Sequence, residues 1–292
     1  NPRHKDFQSF ALPTELHHLT IIVGAKIVTY FNLQRRNSIF FINSSLIFVV
    51  MKDNQHVLVF DLGNTRIKSA CFLNDELIEV EYFNPDDESS IIAYCNQFKD
   101  AKKIVASVRS DAYNQNFQLA LNGCQFIDTA TPNGLISNYQ SPTLGIDRLC
   151  NAVFLKNTKG GTRVCIDIGT CVKFDCVDEN GVYLGGSISP GINLRYRALN
   201  DYTAKLPLLN EKSPQILIGN STSKSISSGV INGVLAEIIG FMDFYRANFS
   251  DLTFFVTGGD AENFDFPLKS DIFVDKNLTL KGVYLIYKFN AV

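Results

Sequence analysis

One short phrase occurs twice in this chain, as FDLGNTRIK at 60–68 and as IDIGTCVKFD at 166–175. Each copy follows an apolar, β-type run, VLVF at 57–60 and RVCI at 163–166, and then reads Asp, any residue, Gly. That pattern is a strand ending in a tight turn with a carboxylate at its lip. A single Asp-x-Gly is an ordinary turn signal. Two copies after matched strands predict two similarly folded halves with a ligand between them. Gly63 lets backbone N–H groups approach an anion, and Thr65 and Thr170 add hydroxyl donors. Asp61 and Asp167 only accept hydrogen bonds when ionised, so each would meet a phosphate through a metal ion or an ordered water. The expected fold is therefore α/β and two-lobed, with a nucleotide–metal cleft between the lobes.

Charge and composition remove several alternatives. The 292 residues are 46% apolar, enough for two ordinary cores. Net charge is −2 and no basic tract interleaves with aromatics, which argues against a nucleic-acid surface. The seven cysteines (71, 95, 124, 150, 165, 171 and 176) form no CxxC pair and read as reduced thiols. Cys171 and Cys176 lack the further ligands of a zinc site. His4, His17, His18 and His56 all precede Asp61. Unless the N-terminal segment enters the cleft, no histidine base or Ser–His pair is available, and proton abstraction falls to a carboxylate.

The first 50 residues differ from the rest. Their apolar run IFFINSSLIFVV (39–50) is too short to span a bilayer, and Gln34, Arg35, Arg36 and Asn37 separate it from the preceding apolar stretch. No small-residue cleavage site marks a signal peptide. Met51 then opens a stretch that enters its first strand at once. Residues 1–50 are expected to be an upstream extension without a part in catalysis, followed by lobes at 51–160 and 161–292.

Strands and helices alternate from residue 57. A hairpin with a continuation at ELIEVEYF precedes a helix at 88–99, a strand at 102–109, a helix at 114–123 stopped by Gly123, and a strand at 124–130. The second half repeats the strand pattern before a helix at 191–200, a long helix at 222–247, and the strand LTFFV running into TGGD.

Between the halves, SNYQSPTLGIDRLCNAVFL (137–155) places an Asp–Arg pair at the start of an apolar-periodic helix. Gly145 bends the chain, Asp147 is the general-base candidate, and Arg148 offers a planar fork for a carboxylate or phosphate. The competing account has Asp147 capping the helix and pairing with Arg148. GGSISPG (185–191) and TGGD (257–260) are glycine turns with weak signals of their own. Asp175 is open to a structural or a functional role. No Walker A, GxGxxG or kinase HRD motif occurs, so a phosphoryl transferase built here needs another cradle.

The motifs DLGNTRIK, LGIDR, DIGTCVKFD, GGSISPG and TGGD, in this order, resemble type III pantothenate kinases from residue 57 to the end of the chain. The resemblance implies an actin-like ATPase fold of two ribonuclease-H-like domains in a cytoplasmic homodimer, with no nucleic-acid or membrane partner. The implied reaction is phosphorylation of pantothenate by ATP with Mg²⁺, giving 4′-phosphopantothenate, the first step of coenzyme A synthesis. Asp61, Gly63, Asn64, Thr65, Lys68 and Thr170 would contact ATP. Tyr139, Gly145, Ile146, Asp147, Arg148 and Thr203 would hold pantothenate, with Asp147 as base, and Asp167 would hold a monovalent cation, K⁺ or NH₄⁺. Many members read DxGTAxTxD where this chain has Cys171 and Lys173, and Lys173 would bring positive charge to the phosphates and alter the cation requirement. Two rivals share the fold: a sugar or acetate kinase, and a non-catalytic, transcription-activating relative. Intact Asp61, Asp147 and Asp167 speak against the second.

Overall fold

The computed structural model describes secondary structure at 17–23, 26–32, 38–42 and 45–49, and residues 55–141, 143–212, 216–264 and 271–291 in full. The chain divides into two units, 1–55 and 56–292. In the first, β1 (His17–Val23), β2 (Lys26–Asn32), β3 (Ser38–Ile42) and β4 (Ser45–Val49) form an antiparallel meander. The apolar run at 39–50 thus supplies a hairpin, with Phe40 opposite Ile47. Met51 lies outside the described residues.

The second unit holds two sheets of one design. The first comprises β5 (Val57–Leu62), β6 (Ile67–Leu73), β7 (Glu76–Phe83), β8 (Lys102–Ser107) and β9 (Cys124–Phe126), in the order β7-β6-β5-β8-β9. The other comprises β10 (Ile136–Ser137), β11 (Thr162–Ile168), β12 (Cys171–Val177), β13 (Val182–Pro190), β14 (Leu252–Thr257) and β15 (Ile272–Val274), in the order β10-β13-β12-β11-β14-β15. Setting β10 aside, both run third, second, first, fourth, fifth, with an antiparallel meander on one side of the first strand and parallel strands on the other. This is the ribonuclease-H-like topology in duplicate, the architecture of actin-like ATPases.

Among the described residues, six α-helices cover the sheets: α1 (Glu88–Gln97), α2 (Asp111–Ala120), α3 (Ile146–Lys156), α4 (Ile192–Asp201), α5 (Thr222–Asn248) and α6 (Leu278–Asn290). Strand alternation decides what each side chain faces. On β5, Leu58, Phe60 and Leu62 pack with Ile91 and Phe117 of α1 and α2, whereas Val57 and Val59 pack with α3 and α6. Asp61 shares the parity of Val57 and Val59. On β11, Val164, Ile166 and Ile168 meet Val230, Val234 and Ile238 of α5, while Cys165 meets Ala152 and Leu155 of α3. Asp167 shares the parity of Cys165. The same rule puts Lys173 and Asp175 of β12 opposite Phe174, which packs into the α5 core.

Helix α3 is thus shared, giving Leu149, Cys150 and Val153 to the first sheet's core and Ala152 and Leu155 to the second's. Each buried Leu or Val among these contributes about 1.5–3 kcal/mol. Helix α5 is the one described helix long and apolar enough to cross a membrane, yet Ile226, Val230, Val234, Ile238 and Met242 form its buried stripe on the second sheet.

Some boundaries differ from the sequence expectation. Helix α2 starts at Asp111 because Ser110 accepts from the Tyr113 N–H and caps it. Strand β9 ends at Phe126 because Asp128 Oδ1 turns the chain, accepting from the N–H groups of Ala130 and Thr131 at 3.0 and 2.8 Å.

Candidate active site

The two repeated turns meet. Thr65 Oγ1 lies 3.2 Å from Thr170 Oγ1, joining the end of β5 to the end of β11. Arg109, which the sequence did not single out, donates from Nη1 to the Asn64 carbonyl at 2.8 Å and clasps the first turn. Both weak glycine motifs close on the second turn. The Gly191 N–H donates to the Thr170 carbonyl at 3.1 Å, and the Asp260 N–H to the Ile168 carbonyl at 2.9 Å. Gly258, at φ +102, sits so close to the Ile168 backbone that a Cβ there would collide with it. Pro190 is held through its carbonyl by Arg195 Nε at 2.8 Å, and Arg195 and Ser189 both donate to Glu237 of α5.

Carboxylates from three elements converge behind these turns. Asp147 stands in the first turn of α3, where the Arg148 N–H donates to its Oδ1 at 2.9 Å. Its Oδ2 accepts from Lys173 Nζ at 2.5 Å, and the same ammonium lies 2.7 Å from Asp167 Oδ2. Lys173 and Asp167 are direct partners across the β11–β12 ladder. Burial pushes the Asp61 carboxyl up to about 6, with Lys68 and Lys173 pulling it down and Asp147 and Asp167 pushing it further up. Asp61 and Lys68 are likewise ladder partners. Burial pulls the Lys173 pKa down, but Asp167 and Asp147 outweigh it and hold it well above the usual lysine range.

Alongside runs a second ion pair. Arg148, 4% exposed, donates from Nε to Asp175 Oδ1 at 2.8 Å, and the same oxygen accepts from the Tyr183 hydroxyl at 2.7 Å. Burial raises the Asp175 carboxyl against the pull of Arg148 and that hydroxyl. Tyr139 lies against this group, its ring 5.9 Å from Tyr183 and 5.7 Å from the Arg148 guanidinium carbon. Asp175 therefore orients the Arg148 fork, a job its sequence context does not reveal. Consecutive residues of α3 thus pair with alternate residues of β12, Asp147 with Lys173 and Arg148 with Asp175.

Two of the anticipated residues stand apart. Ile146 is 7% exposed and its side chain packs with Leu149 and Val153 in the core. Thr203 lies on an exposed turn after α4, where its hydroxyl donates to the Leu199 carbonyl at 2.6 Å rather than to the carboxylate cluster. Among the described residues, no group of three His, Cys, Asp or Glu is arranged to hold a metal ion.

The model of the family described as type III pantothenate kinase matches residues 57–243. The chain belongs to the type III pantothenate kinases. It is accordingly a kinase and uses ATP. The type III pantothenate kinase of Flavobacterium psychrophilum is 40% identical over 240 residues, covering 80% of this chain and 99% of that protein. The Porphyromonas gingivalis member is 31% identical over 242 residues, with 80% and 98% covered. A solved structure from Campylobacter jejuni, described as a Baf family transcriptional activator, superposes with a TM-score of 0.52 at 23% identity, over 80% of this chain and 99% of that one. That likeness shows the shared fold.

Proposed function

We propose that this chain phosphorylates pantothenate with ATP to give 4′-phosphopantothenate, the first step of coenzyme A synthesis, and that Asp147 is the base. The observation that carries this is the seat of Asp147 behind the joined phosphate turns, oriented by the Arg148 N–H and the Lys173 ammonium. ATP, arriving as its Mg²⁺ complex, lies along Gly63, Asn64, Thr65 and Lys68 of the first turn and Thr170 of the second. Pantothenate lies against Tyr139, Gly145, the Ile146 backbone and Arg148.

The pantothenate hydroxyl oxygen bonds to the γ-phosphorus as the bond to the β,γ-bridging oxygen breaks. Its proton passes to Asp147, and ADP leaves. A loose transition state asks for position and charge neutralisation more than for a strong base, and a half-buried carboxylate suffices. Asp61, Asp147 and Asp167 together would repel a triphosphate. Lys68 and Lys173 offset that repulsion.

The resemblance puts K⁺ or NH₄⁺ at Asp167. The Asp167 oxygen that would take it faces the Lys173 ammonium, so no step here runs through a free monovalent ion. The same reading carries lobes at 51–160 and 161–292, a cytoplasmic setting and a homodimer. Exposed Tyr202, Leu217 and Ile218 supply apolar surface for the pairing, and Thr203 would reach pantothenate through it. Light scattering checks the dimer.

The test of the reaction is pantothenate-dependent ADP release by the full chain with MgATP. Asp147→Asn is expected to lower kcat about 10²–10⁴-fold while the fold persists. A variant as fast as the wild type would remove Asp147 from the chemistry. No turnover from well-folded wild type would favour the non-catalytic relative.

A further inference from the structure

We infer that Lys173 is a fixed cation of this active site: its ammonium, held between Asp167 and Asp147, takes the place of a free monovalent ion and makes the kinase independent of K⁺. The inference rests on the pantothenate-kinase reading of the site and goes beyond it by naming the source of the positive charge.

The geometry is that of an ion shared by two ligands. Lys173 Nζ stands 2.7 Å from Asp167 Oδ2 and 2.5 Å from Asp147 Oδ2, tying the second phosphate turn to the first turn of α3. An ammonium group is close in size to K⁺ and offers three N–H donors to oxygen ligands. A lysine at this position is an ammonium ion on a tether. The tether is short and directed, since Lys173 is the ladder partner of Asp167 and alternation sends its side chain to the α3 side of β12. The side chains are largely withdrawn from water, at 15% exposure for Lys173, 13% for Asp167 and 21% for Asp147. A dissolved ion would have to displace a covalently attached charge from both carboxylates, against its high local concentration.

The ion pair beside this bridge leaves it undisturbed. Asp175, the buried carboxylate two residues along the same strand, is already engaged by Arg148 and the Tyr183 hydroxyl. A hydroxyl at residue 173, as in the common DxGTAxTxD pattern, would leave Asp167 and Asp147 facing each other without a cation between them.

The full chain should be assayed with MgATP and pantothenate in choline buffer, with and without added K⁺, beside Lys173→Thr and Lys173→Met. Wild type is expected to turn over equally in both buffers. Lys173→Thr should be at least about tenfold slower without K⁺ and recover on adding K⁺ or NH₄⁺, a rescue that a purely structural lysine would not show. ATP binding by calorimetry gives the second readout, with a wild-type Kd indifferent to K⁺ and a Lys173→Thr Kd that tightens with it. Wild type whose turnover or ATP affinity rises about tenfold with K⁺ overturns the inference even if both variants misfold. Absence of pantothenate turnover in every buffer would refute the kinase reading, and the binding measurement would still decide the role of Lys173.

Discussion

Asp61 stands near the C-terminal end of β5, at the first of the two repeated turns. Its carboxyl is pushed up to about 6 by burial, above the ordinary aspartate value that it regains on unfolding. Between those two values the folded chain binds the extra proton, so stability falls as pH rises. The contribution is fully present below about pH 4 and is lost as pH passes about 6. Asp61 keeps partial access to solvent, which holds the expected effect to about 2 kcal/mol. Asp61→Asn should therefore flatten the decline in stability of the ligand-free protein between pH 4 and 7, measured by urea denaturation at each pH. Parallel profiles for the two proteins would show that Asp61 is solvated. ATP binding should weaken in the same variant, since a buried carboxylate at this lip would meet the triphosphate through its metal ion. The Asp61, Asp147 and Asp167 positions were legible from the chain because a repeated Asp-x-Gly and an Asp-Arg at a helix start are local patterns. The Arg148–Asp175–Tyr183 group was not, because it joins residues from a helix and two strands.

Helix α3 is the element on which the site depends. Its first turn presents Asp147 and Arg148 to β12, and its body is locked against α6 by close backbone approach. Gly282 of α6 sits over the Cys150 carbonyl, where any Cβ would overlap the backbone. Gly282→Ala must push the helices apart, and a loss of about 1–3 kcal/mol is expected for such overpacking. The activity loss should exceed what instability explains, because the displaced helix moves Asp147 relative to Lys173. Thermal melting together with kcat at a temperature well below the midpoint would check this, and a fully active variant would show that α3 is positioned by the sheets alone. Helix α6 was illegible beforehand. No element was read beyond TGGD, and it is packing against the first sheet that shows Leu280, Val283 and Ile286 to be the buried stripe of a helix.

Across the chain as a whole, the match to the family begins at residue 57, and 80% of the chain covers 99% of the Flavobacterium psychrophilum relative. A chain beginning at Met51 should keep the turnover of the full protein, measured by the same ADP-release assay. A loss of activity in a well-folded shortened chain would give residues 1–50 a part in catalysis. The duplicated design was evident from the primary structure, since each strand–turn phrase is complete within about ten residues and its apolar parity names the buried face. The amino-acid order alone determined an α/β chain with two similarly built halves, each carrying a strand–turn phrase, and named Asp147 as the candidate base. Lys173 was already expected to bring positive charge to the second turn, but it is the tertiary packing that put its ammonium between Asp167 and Asp147. Lys173 meets Asp167 through the ladder, but it meets Asp147 because α3 packs across both sheets, a contact between residues 26 apart that no local pattern encodes.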